Sequence, residues 1–185
     1  MGKNFSCNNQ GQRRESDYYE TPFSMTQQLL EQEPFDEQKT FLEPCCGARA
    51  IAQYLPNCTA YDLREGHDFL LEQRQFHYII TNPPFSKAFE FIKHCKKVAT
   101  DKFALLLPLS YLHGQQRYES GIFQGLKTVY VFTRYPMLGD ALREDGKYRT
   151  GMMVYAWYIW EIGWLQPAII QWLNNQPYII KRRDS

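Results

Sequence analysis

The sequence predicts a doubly wound α/β sheet, mostly parallel with an antiparallel late strand. Three observations predict it. Short apolar runs alternate with segments of helical spacing along most of the chain, the pattern of successive βα units. Phe103-Ala104-Leu105-Leu106-Leu107 is apolar at every position, and Val154 to Trp160 places large side chains on both faces. Strands of that kind lie inside a sheet covered on both sides. The last two strands are joined by a long connection without a clear helix, which suits antiparallel pairing.

The elements follow in order. Residues 1–16 are polar and read as an N-terminal arm. Thr21 is the expected N-cap of a helix with Pro22 at its first position, ending near Glu33 before Pro34. Lys39 to Glu43 reads as a strand entering the turn Pro44-Cys45-Cys46-Gly47, with a helix over Arg49 to Tyr54. Thr59 to Asp62 is a second short strand, and His67 to Leu71 a turn with a short helical piece. Phe76 to Ile80 is a buried strand. Ser86 to Val98 is a helix, because Ala88, Phe89, Phe91, Ile92 and Cys95 recur at helical spacing. After the Phe103 to Leu107 strand, residues 111–123 read as mostly helical and Thr128 to Phe132 as a strand. Residues 134–151 form a long polar connection to the aromatic strand Met152 to Glu161. A helix near Pro167 to Leu173 follows. Residues 17–176 thus make one domain, and residues 177–185 a charged tail containing Lys181-Arg182-Arg183. Between the second strand and the strand at Phe76 there is little room for a full βα unit, so one edge of the sheet is expected to be trimmed.

A chain of 185 residues with 44% hydrophobic content is long and apolar enough to bury a sizeable core, which excludes a disordered protein. The net charge of +1 excludes a strongly basic nucleic-acid binder, so any basic face must be local. The five cysteines are odd in number and contain no C-x-x-C pair, which argues against a disulfide framework or zinc site and for free thiols in the cytoplasm. No apolar run reaches membrane-spanning length, and no signal peptide is visible. His67, His77, His94 and His113 lack ligand spacing, so no metal is expected.

The most informative stretch is Thr81-Asn82-Pro83-Pro84-Phe85, directly after a strand. Each proline lacks an N–H and pushes the preceding residue to extended geometry. The result is a rigid, donor-poor loop at the strand end where α/β sheets bind ligands. Asn82 offers an amide oxygen, the prolines offer bare carbonyls, and Phe85 offers an aromatic face. This set suits an exocyclic amino group on a flat ring.

A second set lies upstream. Glu43-Pro44-Cys45-Cys46-Gly47 closes a strand, and Gly47 permits close approach of backbone to a ligand. Asp62 follows Glu43 by 19 residues, close to the ~20-residue offset at which an acid meets ribose hydroxyls in nucleotide-binding folds. Asp68-Phe69 places an acceptor beside a ring, a pair suited to a purine.

Thr21-Pro22, Glu43-Pro44-x-x-Gly47, Asp62, Asp68-Phe69 and Asn82-Pro83-Pro84-Phe85, in this order, resemble the gamma group of adenine-N6 DNA methyltransferases, and most of all its short solitary phage and prophage members. The resemblance covers about residues 17–173. It implies a Rossmann-like methyltransferase sheet, S-adenosylmethionine as methyl donor, and DNA as partner, with the target base flipped out. It also implies that Thr21, Pro22, Glu43, Pro44 and Gly47 serve the methionine end. Asp62 would then bind the ribose, Asp68 and Phe69 the adenine, and Asn82, Pro83, Pro84 and Phe85 the reacting base, with Asn82 also beside the cofactor. One departure stands out: the family usually has a second Gly two residues after the first, where this chain has Arg49. Phe85 replaces the commoner Tyr.

The rival readings are an RNA base amino-methyltransferase, which uses a similar loop, and a degenerate cofactor-fold protein that binds DNA or a host protein. Arg134, Arg143, Lys147 and Arg149, in the long connection, are the expected DNA-backbone contacts. The oligomeric state is not legible in the sequence.

Overall fold

The computed structural model describes residues 20–133 and 153–175. They form a seven-stranded sheet: β1 (Phe41–Glu43), β2 (Cys58–Ala60), β3 (Phe76–Thr81), β4 (Ala99–Pro108), β5 (Leu126–Phe132), β6 (Tyr155–Glu161) and β7 (Ile169–Leu173). The spatial order is β2-β1-β3-β4-β6-β5-β7. All neighbours run parallel except β6, which is antiparallel to both β4 and β5. This is the expected mostly parallel sheet with an antiparallel late strand. The short β2 forms one edge, as the lack of room before β3 required.

Period-2 side-chain alternation divides the core into two layers. Ala104, Leu106, Trp157 and Ile159 face one side, where α1 (Phe23–Gln32) packs through Met25 and Leu29. Phe103, Leu105, Leu107, Tyr158 and Trp160 face the other, where α2 (Ala88–Val98) packs through Phe91, Ile92 and Cys95. Both aromatic indoles on β6 are fully buried, and each satisfies its N–H on a backbone carbonyl: Trp157 on Met25 at 3.0 Å and Trp160 on Ile122 at 3.1 Å. A large aromatic strand can sit inside a sheet only when those polar tips are paired.

At the end of the sheet away from the β3 loop, Glu33 closes α1 and is almost wholly buried. Lys102 of β4 donates to it at 2.6 Å and the Tyr130 hydroxyl of β5 at 3.0 Å. This buried ion pair ties the helix end to two strands.

Four expectations are corrected. Pro22, not Thr21, occupies the N-cap of α1, and no side chain caps the helix. The segment over Arg49 to Tyr54 is a series of turns ending in one 3₁₀ turn at Ala52–Tyr54, with no α-helix. Residues 111–123 hold the end of a 3₁₀ turn (Leu109–Leu112) and a short helix, α3 (Gln115–Glu119), with turns after it. Residues 169–173 are a strand, β7, pairing parallel with β5. Among the described residues, no helix is long and apolar enough to cross a membrane. Cys45, Cys46, Cys58 and Cys95 are free thiols.

Candidate active site

The chain crosses from one side of the sheet to the other at β1, which pairs with β2 on one flank and β3 on the other. Open α/β sheets form their ligand crevice at such a switch, beyond the carboxyl ends of the strands. Leu42 lies opposite Ile79, and Glu43 opposite Ala60. The ends of β1, β2 and β3 are therefore level, and they deliver Glu43, Asp62 and Asn82 to one edge.

Glu43 is buried, 2% exposed, and accepts the Ala52 N–H at 2.6 Å. Burial pushes its carboxyl up to about 7, while that hydrogen bond and the charge of Arg49 act in the opposite direction. A buried carboxylate of this kind fits a cationic ligand group, which would offset the cost of its charge. Pro44 is buried beneath the turn.

Gly47 adopts φ 45 and donates its N–H to Asp62 Oδ2 at 3.1 Å. Asp62 Oδ1 accepts the backbone N–H of Arg64 at 3.0 Å and its Nε at 2.9 Å. Burial acts to raise the Asp62 carboxyl, but the hydrogen bonds from Arg64 and Gly47 outweigh it and hold the group below its ordinary value. Asp62 is thus ionised and suited to accept from a diol. The Arg64 side chain is 59% exposed, so it can yield to such a ligand. Arg64 was missed in the sequence; its position two residues after the acid, where an Asx turn directs its N–H back, is the signal that identifies it.

Arg49, where the resemblance leads one to expect a glycine, has φ 63. The backbone keeps the left-handed turn that glycine favours, and the exposed arginine carries it.

Asp68 is exposed and caps a 3₁₀ turn by accepting the Leu70 N–H at 2.9 Å. Phe69 is 2% exposed, with its ring 4.9 Å from Phe91 and 4.8 Å from His94. Those contacts belong to the core, and in this structure Phe69 anchors the Asp68 turn to α2.

Thr21 Oγ1 accepts the Asn82 side-chain N–H at 3.1 Å, linking residues 61 apart in sequence. This contact explains why Thr21 does not cap α1. Pro83 is buried and Pro84 half-buried. Phe85 is half-buried, with its ring 5.6 Å from that of Tyr155 on β6, an aromatic neighbour the sequence did not assign. Cys45 is half-buried beside this edge, and burial pushes its thiol up to about 12, so it is no nucleophile. Arg134, Arg143, Lys147 and Arg149 lie outside the described residues.

The fold is a Rossmann-like sheet of the kind found in solved methyltransferase structures of low sequence identity. The M protein of the type I restriction enzyme EcoKI superposes with a TM-score of 0.59 at 12% identity, over 86% of this chain and 49% of that one. A modification subunit of a putative type I restriction enzyme from Vibrio vulnificus YJ016 gives 0.56 at 11% identity, over 85% and 47%. A putative class I S-adenosylmethionine-dependent methyltransferase from Listeria monocytogenes gives 0.50 at 12% identity, over 82% and 63%. The chain spans about half the length of the two restriction-modification proteins. No protein-family model and no curated protein sequence matches the chain.

Proposed function

We propose that the protein transfers a methyl group from S-adenosylmethionine to the N6 amino group of adenine in DNA, with the base turned out of the helix. The observation that carries this reading is the hydrogen bond between Thr21 and Asn82. It joins the Thr-Pro segment, expected at the cofactor, to the Asn-Pro-Pro-Phe loop, expected at the base, as one reaction centre requires. Two of the proteins similar in fold are modification proteins of type I restriction enzymes, which supports the same class. DNA and adenine N6 rest on the motif resemblance.

The cofactor supplies an electrophilic methyl group when bound. Glu43 would hold its cationic amino-acid end, Asp62 its ribose, and Asp68 its adenine amino group. The nitrogen of the Asn82 amide donates to Thr21, and in this reading the carbonyl oxygen of the same group would accept from the incoming base. That oxygen and the Pro83 carbonyl would accept hydrogen bonds from the two amino protons and localise the nitrogen lone pair. The new N–C bond would form as the donor's S–C bond breaks, and one amino proton would leave to solvent. Phe85 stacks on the base, a contact of roughly 1–3 kcal/mol.

The test is transfer from methyl-labelled cofactor to duplex DNA and to RNA, with products resolved base by base and Asn82→Ala as control. N6-methyladenine in DNA that disappears in the control supports the proposal. Label confined to RNA makes this an RNA methyltransferase, and cofactor binding without any transfer makes it a binding protein.

A further inference from the structure

Residues 165–172 read Leu-Gln-Pro-Ala-Ile-Ile-Gln-Trp, and every one of them is exposed. None carries a charge, in a chain whose residues are 22% charged. Leu165 is 93% exposed and Trp172 69%, with Ile169 and Ile170 about half exposed. The run leads into β7, which lies at the margin of the sheet and pairs with β5 alone among the described strands.

The register fixes which way its side chains point. Ile170 and Trp172 lie beside Val129 and Val131, on the α2 face. Ile169, Gln171 and Leu173 lie beside Thr128, Tyr130 and Phe132, on the α1 face. Only Leu173 is buried, so the helical layers that cover β4 and β6 leave both faces of β7 largely bare. Soluble proteins protect a sheet edge with charge, proline, a bulge or a covering element. β7 contains neither charge nor proline, and its pairing with β5 is regular over all five residues.

The occupant follows from charge. A nucleic-acid backbone or a charged peptide binds where the opposite charge meets it, and this run offers none. A two-fold contact makes the reverse demand. Each side chain near the axis meets its own copy, so a charged residue there would repel itself. We propose that β7 pairs antiparallel with β7 of a second copy of this chain, across a two-fold axis perpendicular to the sheet, joining two seven-stranded sheets into one. Residues paired across such an axis share a face, so the axis falls on a residue rather than between two. Centred on Gln171, it pairs all five residues, with Ile170 opposite Trp172 and Ile169 opposite Leu173 of the other copy. β7 stands four strand spacings, about 19 Å, from β3, so both crevices stay open. Antiparallel pairing turns them to opposite ends of the joint sheet. The pairing does not depend on the reaction that the crevice carries out.

The test is sedimentation equilibrium of the full chain, with amide hydrogen exchange followed in β7. The wild type is expected at twice the 22.0 kDa of one chain at high micromolar concentration, with β7 amides that exchange faster on dilution. Ile170→Lys and Gln171→Lys place a charge beside and on the axis. Both positions are exposed, so the melting temperature should hold while association weakens roughly ten- to hundredfold. A wild type that stays at 22.0 kDa overturns the proposal, whether other residues of the same chain cover β7 or nothing does. A dimer that persists in both folded lysine variants overturns it too, because the contact then lies elsewhere. If the lysine variants unfold, the wild-type exchange decides alone: β7 amides whose exchange ignores dilution overturn the pairing.

Discussion

Asp62 holds the Gly47 N–H at 3.1 Å, so the end of β2 fixes the glycine turn at the end of β1. One carboxylate therefore serves the turn and the crevice together. Asp62→Ala is expected to weaken cofactor binding by about 1–3 kcal/mol, the range for a lost hydrogen bond to a charged group. Asp62→Asn keeps an acceptor for Gly47 and should lose less. Titration calorimetry on both variants checks this, and unchanged affinity in the alanine variant would place Asp62 outside the pocket.

Thr21 orients Asn82 from the start of α1. Thr21→Val should lower the rate of methyl transfer by up to about tenfold, matching a neutral hydrogen bond of ~0.5–1.5 kcal/mol, with Thr21→Ser restoring most of it. Single-turnover kinetics at saturating cofactor is the measurement. Loss in the serine variant without loss in the valine variant would point to packing of the methyl group rather than to the hydroxyl.

Glu43 makes the protein pH-sensitive. Its carboxyl titrates at about 7 when folded, against an ordinary value of 4.5. Between these pH values the folded chain holds a proton that the unfolded chain has lost. The associated stability is full below about 4.5 and is lost as pH rises through 7, by about 3 kcal/mol. Glu43→Gln should flatten that decline in denaturant titrations at pH 5 and pH 8. A cationic ligand favours the ionised form, so cofactor binding near pH 6 should release protons. Calorimetry in two buffers of different ionisation enthalpy detects this release.

Arg49 holds φ 63 at an exposed position. A non-glycine residue there costs of order 1–3 kcal/mol, and glycine gives back ~0.5–1 kcal/mol through unfolded-chain entropy. Arg49→Gly should therefore stabilise the fold by about 1 kcal/mol, read as a higher denaturation midpoint. A lower midpoint would show that the arginine side chain contributes more than its backbone costs.

Glu33→Ala should be the most damaging of these changes to stability. It leaves Lys102, 9% exposed, without its 2.6 Å partner, and the loss of one half of a buried pair costs about 3–5 kcal/mol. Chemical denaturation measures it. A loss below about 1 kcal/mol would mean that water reaches Lys102 in the variant.

The sheet was legible where its residues left no choice. The all-apolar β4 and the doubly aromatic β6 can only be interior strands. Asn82-Pro83-Pro84 ends β3 because proline cannot continue a ladder. The misreadings have local causes. Ile169-Ile170-Gln171-Trp172-Leu173 has apolar residues at i, i+1, i+3 and i+4, which fits a helix as well as a strand. Pairing with β5 decides it, and that is a tertiary fact. Arg49 to Tyr54 is too short to sustain a helix once Glu43 captures the Ala52 N–H. Of the candidate site, the residues at strand ends were readable from spacing. Tyr155 beside Phe85 was not, because it reaches the loop only through the antiparallel return of β6.

The place of β6 between β4 and β5 governs the order in which the molecule can be made. As the chain emerges from the ribosome, β4 and β5 appear early yet cannot close on each other. The slot between them belongs to a strand synthesised later. Until Tyr155–Glu161 arrives, β4 presents a raw edge and β5 has no sheet partner at all, because β7 is synthesised later still. A nascent chain stalled ahead of β6 is a natural client for a holdase chaperone, and the arrival of β6 is the step that joins β5 to the sheet.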